Sequence, residues 1–197
     1  VQLVTYMFMH STGSFAHIFF NMFTLWMFGM TLERTFGSAR FLFYYMSCGI
    51  GAGLIQELTW MLTWENTFTP LLANAMHIDF PEAREILSAP GMEAQVSQWL
   101  NMFITIGASG AIYGILLAFG MMYPNAPIFL FFVPVPIKAK WMVTGMIGIE
   151  LLIGLSESVG ASDGIAHFAH LGGMIFGFLI IYYWNCLLYT SDAADEL

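Results

Sequence analysis

Apolar residues gather into five long stretches that are separated by more polar segments. The stretches cover about residues 14–32, 41–60, 106–123, 141–155 and 165–185. Several of them approach the roughly 20 residues that an α-helix needs to cross the hydrocarbon core of a bilayer. Glycine and other small residues recur inside them, as is usual where membrane helices pack closely. The pattern predicts an all-α, polytopic membrane helical bundle.

The composition favours a membrane protein over a water-soluble domain. Hydrophobic residues make up 58% of the 197 residues and charged residues only 9%. Soluble domains carry a charge on about a quarter of their residues, so this chain has too few charges to cover a water-facing surface. The formal net charge of -8 argues against a nucleic-acid partner. Cys48 and Cys186 are far apart in the sequence, which favours packing over a disulfide or a metal site.

The segment between the second and third stretches, residues 61–101, is predicted to be an acidic loop. Arg84 is its only basic residue. Its acidic residues are Glu65, Asp79, Glu82, Glu85 and Glu93. Within the loop, the stretch Phe80–Leu87 has Pro81 and Glu82 at its start, as helix first turns often do. This stretch is predicted to form a short surface helix.

Basic residues predict the orientation in the membrane. Arg34 and Arg40 lie between the first and second helices, and Lys138 and Lys140 lie just before the fourth. In an alternating five-helix bundle, these two loops fall on one side, and positive charge concentrates on the cytoplasmic side. The acidic loop and the turn at residues 156–164 are therefore expected to face outward.

Several polar side chains lie inside the predicted helices, where each is costly and calls for a reason. They are His17, Asn21, Ser109, His167 and His170, with Tyr113 as a partly polar neighbour and His10 just before the first helix. With the orientation above, all of them fall in the outer halves of their helices. This shared depth indicates a common site.

Ser109 is the candidate nucleophile. It lies in Gly107-Ala108-Ser109-Gly110, where the flanking glycines let a substrate chain approach the hydroxyl. Tyr113 is one helical turn later and shares the face of Ser109. The alternative for this segment is a small-residue packing stripe with a serine bonded to its own helix.

His170 is the candidate base. Gly173 and Gly177 lie on its face of the helix, so a glycine-rich partner such as the helix of Ser109 can come close. A neutral imidazole within about 3 Å activates a serine hydroxyl. The alternative is a structural histidine with its hydrogen bonds satisfied.

His17 and Asn21 are four residues apart on one face of the first helix. Both can donate hydrogen bonds to an oxygen that develops negative charge, as an acyl-transfer site requires. The alternative is hydrogen bonding between helices.

Metal binding is the competing chemistry, since four histidines could act as ligands. The sequence has no HExxH motif, and no carboxylate is expected among the membrane histidines. Glu150 lies near the middle of the fourth helix, and nothing in the sequence places it beside them. We therefore do not expect a metal site.

Four segments together resemble the rhomboid family of intramembrane serine proteases. They are His17-Ile-Phe-Phe-Asn21, Gly29-Met-Thr-Leu-Glu33-Arg34-Thr-Phe-Gly37, Gly107-Ala-Ser109-Gly110 with Tyr113, and Ala169-His170-Leu-Gly-Gly173-Met-Ile-Phe-Gly177. Any one of them is a weak signal, but all four in this order are highly specific. The resemblance spans about residues 6–183.

The resemblance implies a set of roles. Ser109 would be the nucleophile and His170 the general base, working as a dyad without an aspartate. His17, Asn21 and the backbone N–H of Ser109 would form the oxyanion hole, and Tyr113 would pack against the His170 ring. His167 would be structural or line the outer end of its helix, and His10 matches the family only loosely.

The resemblance also implies an organisation and a reaction. Residues 1–185 would be a rhomboid membrane domain with five of the family's six core helices, the first being missing upstream. Residues 186–197 break from membrane composition and are interpreted as a non-native tail. Transmembrane protein substrates would enter from the lipid bilayer past the fourth helix, in a bacterial cytoplasmic membrane with the site open to the outer face. The resemblance implies no cofactor. Two alternatives stay open: a catalytically inactive rhomboid-like protein that binds membrane clients, and a small transporter or channel.

Overall fold

A computed structural model describes residues 2–11, 13–101, 104–129, 135–157 and 166–195. Helices dominate these residues, so the all-α prediction is confirmed. The helices are α1 (Gln2–Thr5), a 3₁₀ turn (Tyr6–Phe8), α2 (Phe15–Phe36), α3 (Ser38–Met76), α4 (Phe80–Leu87), α5 (Glu93–Leu100), α6 (Ser109–Met122), α7 (Ala139–Glu157) and α8 (His167–Asp195). A two-stranded antiparallel hairpin, β1 (Pro127–Ile128) with β2 (Ile137–Lys138), joins α6 to α7.

The five predicted membrane stretches correspond to the helices α2, α3, α6, α7 and α8. Three of these, α2, α7 and α8, contain windows that are long and apolar enough to cross a membrane. Helix α6 is shorter but also apolar. Helix α8 continues through Asp195, past the predicted end at Asn185.

Helix α3 corrects the predicted loop. It does not end near Trp60 but continues to Met76, through Pro70, and His77 closes it in the left-handed region with φ 57°. The sequence prediction ended the helix where the apolar composition ends. Helical hydrogen bonding can continue beyond that point, because it does not require apolar side chains. Polar residues of this extension bond within the structure, as when Arg84 of α4 pairs with Glu65 at 3.0 Å.

Helix α4 confirms the predicted surface helix at Phe80–Leu87. Asp79 is the N-cap, and its Oδ1 accepts a hydrogen bond from the Glu82 N–H at 2.9 Å. A capping carboxylate followed by proline in the first turn explains why the sequence was sufficient here.

Helix α6 lies at the centre of the bundle and packs against α2, α3, α7 and α8. Most of its residues are buried. Tyr44 and Cys48 of α3 are fully buried against it, and the Tyr44 hydroxyl donates to the Gly114 carbonyl oxygen at 2.8 Å. The burial of Cys48 agrees with a packing role for this cysteine. The position of α6 puts its first residue, Ser109, among several helix ends.

Glycines let α6 and α8 touch through their backbones. A Cβ at Gly173 of α8 would overlap the carbonyl oxygen of Gly110 on α6. Gly177 lies instead against the Tyr44 ring of α3. The predicted glycine face of α8 therefore serves two neighbours, and the half nearer to His170 faces the helix of Ser109.

Candidate active site

Ser109 is the first residue of α6, and the loop before it sets its position. Gly107 adopts φ 115°, a conformation that side chains other than glycine rarely take. Its N–H donates to the Tyr6 carbonyl oxygen at 3.0 Å, which fixes the loop to the N-terminal segment. The N–H groups in the first turn of a helix have no acceptors within that helix. Half-buried Ser109 thus presents its hydroxyl at the positive end of a helix dipole.

His170 lies one turn inside α8, with its ring against Ser109. Its Nε2 is 2.9 Å from the Ser109 Oγ, and the histidine is 7% exposed. The Tyr113 ring stacks on the imidazole with the ring centroids 4.1 Å apart and the planes 5° apart. The close approach of Gly173 to Gly110 allows this contact, because no side chain separates the two helices. The structure therefore brings together Ser109, His170 and Tyr113 as one cluster.

Glu150 joins this cluster, and here the sequence analysis was wrong. Its Oε2 lies 3.0 Å from Nδ1 of His170 and 2.6 Å from Nδ1 of His167. Its Oε1 accepts a hydrogen bond from the Tyr113 hydroxyl. Glu150 is 6% exposed, so this carboxylate is buried and satisfied by three donors. A carboxylate does accompany the membrane histidines.

The sequence did mark Glu150 as unusual, but it did not indicate which residues Glu150 contacts. An ionisable residue within an apolar helix is itself a sign of a functional site. What the sequence lacked was the rotation of α7 about its axis, which decides whether residue 150 faces the bundle or the lipid.

Metal binding can be judged from the same three residues. Glu150, His167 and His170 offer ligand atoms within 4.8 Å of one another. Tetrahedral zinc with bonds of about 2.0 to 2.1 Å keeps its ligand atoms about 3.3 Å apart. The 2.6 Å and 3.0 Å separations here are instead hydrogen-bond distances. The geometry fits protons between these atoms better than a metal ion.

His17 and Asn21 of α2 border the loop before Ser109. A Cβ at Gly107 would lie 2.7 Å from Nε2 of His17 and 3.6 Å from Nδ2 of Asn21. The Ser11 N–H donates to Nδ1 of His17 at 3.3 Å, which assigns the ring proton to Nε2. Nδ2 of buried Asn21 has no hydrogen-bond partner among the described residues. Two N–H donors thus lie beside Gly107, two residues before Ser109.

The two remaining histidines occupy different settings. His10 lies beside His17, with ring centroids 5.3 Å apart. His167 is 4% exposed and bonded to Glu150, so it is buried and does not line an open helix end.

These features define a helical membrane protein with a serine and a histidine in hydrogen-bond contact where two central helices begin. The rhomboid domain model matches residues 1–185. The chain therefore belongs to the rhomboid family, and it is an integral membrane protein. The family resemblance found in the sequence is confirmed.

Several curated proteins are similar to this chain. Rhomboid protein 1, mitochondrial, of Saccharomyces cerevisiae is 28% identical over 94% of this chain and 41% of its own length. Rhomboid protease AarA of Providencia stuartii is 26% identical over 88% of this chain and 52% of its own length. Rhomboid protease GluP of Bacillus subtilis is 26% identical over 83% of this chain and 22% of its own length. The chain thus spans about half or less of these relatives, and no solved structure matches it.

Proposed function

We propose that this protein is an intramembrane serine endopeptidase that cleaves transmembrane segments of other membrane proteins. The observation that carries the proposal is the 2.9 Å contact between the Ser109 Oγ and Nε2 of His170. A serine hydroxyl becomes a useful nucleophile when an adjacent imidazole can take its proton. Two relatives, AarA and GluP, carry the name rhomboid protease.

In the proposed reaction, His170 Nε2 takes the Ser109 proton as Oγ bonds to the carbonyl carbon of the scissile peptide. The bond to nitrogen then breaks, and the leaving amine takes the proton from His170. Water, deprotonated by the same nitrogen, releases the acyl group and restores the Ser109 hydroxyl. No cofactor takes part in these steps.

The oxyanion of each tetrahedral intermediate would be stabilised by three donors. These are His17 Nε2–H, Asn21 Nδ2–H and the backbone N–H of Ser109. The support is the position of both side chains against Gly107 and the tautomer that Ser11 assigns to His17. Fixed donors of this kind contribute about 3 to 4 kcal/mol each to acyl transfer.

The site would open to the outer face of a bacterial cytoplasmic membrane. Ser109 begins α6, whereas Tyr123, at the far end, bonds to Thr35 beside Arg34. Four of the five basic residues lie at this end, opposite Ser109, and positive charge favours the cytoplasm. They are Arg34, Arg40, Lys138 and Lys140, all of them exposed, whereas Arg84 lies on α4. Substrate helices would enter laterally past α7. The turn at residues 156–164, which we expect beside that route, lies mostly outside the described residues.

The proposal is tested by labelling the protein, purified in detergent, with a fluorophosphonate serine probe. We expect Ser109→Ala and His170→Asn to abolish labelling. Matched controls outside the site, Ser88→Ala and His77→Asn, should keep it. Labelling should track cleavage of a transmembrane substrate panel reconstituted with the protein in vesicles. A folded parent that neither labels nor cleaves would contradict the proposal and favour a membrane-client binder.

A further inference from the structure

We propose that Glu150 is a positioning residue that completes a Ser109–His170–Glu150 triad in this protein. The inference rests on the proposed function, because it assigns a role within that reaction. It begins from a continuous line of contacts. Ser109 Oγ meets His170 Nε2 at 2.9 Å, and His170 Nδ1 meets Glu150 Oε2 at 3.0 Å.

The line of contacts selects the tautomer of His170. To receive the Ser109 proton, Nε2 must hold a free lone pair, so the neutral ring must carry its proton on Nδ1. That N–H belongs to a ring that is 7% exposed, and a buried donor needs an acceptor. The Glu150 carboxylate is that acceptor. It also faces the positive charge that the ring carries while Nε2 holds the serine proton.

Glu150 is itself held from two sides. His167 Nδ1 approaches the same oxygen at 2.6 Å, and the Tyr113 hydroxyl donates to the other. A buried carboxylate persists when it is paired and hydrogen-bonded. Tyr113 therefore acts twice, since its ring stacks on His170 while its hydroxyl orients Glu150.

The competing interpretation is that Glu150 only fastens α7 to the bundle. Its partners lie on α6 and α8, so its removal would loosen α7 in either case. The two interpretations differ in their effect on the turnover number. A fastening residue affects stability and substrate entry, whereas a positioning residue affects kcat.

The first test compares Glu150→Gln and Glu150→Met, which keep the length of the side chain. Glutamine removes the charge and keeps an oxygen for Nδ1–H, whereas methionine removes both. We expect kcat for a cleaved transmembrane substrate to fall at least about 100-fold in the methionine variant and less in the glutamine variant, with KM within about threefold.

A matched control separates local damage from positioning. Gln56 is also buried, and its Oε1 accepts from the Ala169 N–H at 3.1 Å, next to His170. Gln56→Met removes a buried hydrogen bond from α3 to α8, the helix of His170, without touching the His170 ring. It should lower Tm by a similar amount to Glu150→Met and leave kcat within about threefold. Equal kcat losses in both variants would overturn the proposal.

The second test does not depend on activity. With ¹⁵N-labelled histidine, the His170 signals, identified by their absence in His170→Asn, report which ring nitrogen carries the proton. We expect the Nδ1–H form in the parent and a loss of this single form in Glu150→Met. An Nε2–H form in the parent would overturn the tautomer argument.

The outcomes separate the two proposals. A parent that shows the Nδ1–H form but neither labels nor cleaves would contradict the protease function alone. An active parent whose kcat survives Glu150→Met would contradict the triad alone. Activity that is lost with a chelator and restored by Zn²⁺ would make Glu150 a metal ligand and overturn the triad.

Discussion

Helices α7 and α8 hold their parts of the site in different ways. Helix α8 meets α6 at Gly173, where a Cβ would overlap the Gly110 carbonyl oxygen. In α7, a Cβ at Gly145 or Gly148 would meet nothing within 4 Å. Leu152 of α7 is 72% exposed. The α6–α8 interface is thus a backbone contact without spare room. In α7, the space is open at Gly145 and Gly148, and only Gly154 packs closely, against side-chain atoms of His167 and Phe168 at 3.1 to 3.2 Å.

This difference suits the chemistry proposed for each helix. The serine and the imidazole must stay within about 3 Å for proton transfer, and close backbone packing preserves such a distance. Glu150 instead reaches the site from α7, which meets α8 through side chains, and it is held by hydrogen bonds. The contrast indicates that the Ser109–His170 distance tolerates small movements of α7, whereas the Glu150 contact does not.

The largest effect is expected for Gly173→Ala. Overpacking usually costs about 1 to 3 kcal/mol, and here the obstacle is backbone, so we expect the upper end or more. Thermal unfolding in detergent should show a large fall in Tm, and labelling of Ser109 should be lost. An unchanged Tm with normal labelling would mean that α6 and α8 do not touch through their backbones.

An intermediate effect is expected for Tyr113→Phe. The variant keeps the ring on His170 and removes the hydroxyl that donates to Glu150. Hydrogen bonds to charged groups contribute about 1.5 to 3 kcal/mol, so we expect kcat to fall by about tenfold with a modest fall in Tm. Tyr123→Phe is the matched control, because its hydroxyl bonds to Thr35 away from the site. Equal losses of kcat in both variants would argue against a role for the Tyr113 hydroxyl.

The smallest effect is expected for Gly148→Ala. Its Cβ would point into open space, and glycine within a helix is about 0.5 to 1 kcal/mol less stable than alanine. Tm should rise slightly while labelling and cleavage stay within about twofold. A marked loss of cleavage with intact labelling would show that α7 must bend or pack closely against a substrate.

Much of the fold could be predicted because the local composition of a segment is enough to indicate a membrane helix. Apolar length predicted the five long helices, and the Asp79 cap with Pro81 predicted α4. The extension of α3 to Met76 was missed, because composition marks the membrane boundary and not the end of a helix. The β1–β2 hairpin was missed because strands of two residues are too short to show alternation.

The candidate site also has residues that the sequence could indicate and one that it could not. Ser109 and His170 could be singled out because glycines surround each one within its own segment, so the signal is local. His17 and Asn21 likewise share a face at a spacing of four residues. Glu150 has no such local pattern, and its partners on α6 and α8 lie 37, 17 and 20 positions away along the chain.

By itself, the sequence determined which segments become helices and which of their faces are glycine-rich, and it singled out the side chains proposed to attack, to accept a proton and to donate to an oxyanion. Only the tertiary structure decided that Glu150 meets His170 and His167, and that Gly177 faces Tyr44 rather than α6. The physical reason is that helix formation depends on neighbouring residues, whereas the rotation and depth of one helix against another depend on all the surfaces they bury together. A carboxylate on the fourth membrane helix becomes a partner of the histidines only after that packing is complete.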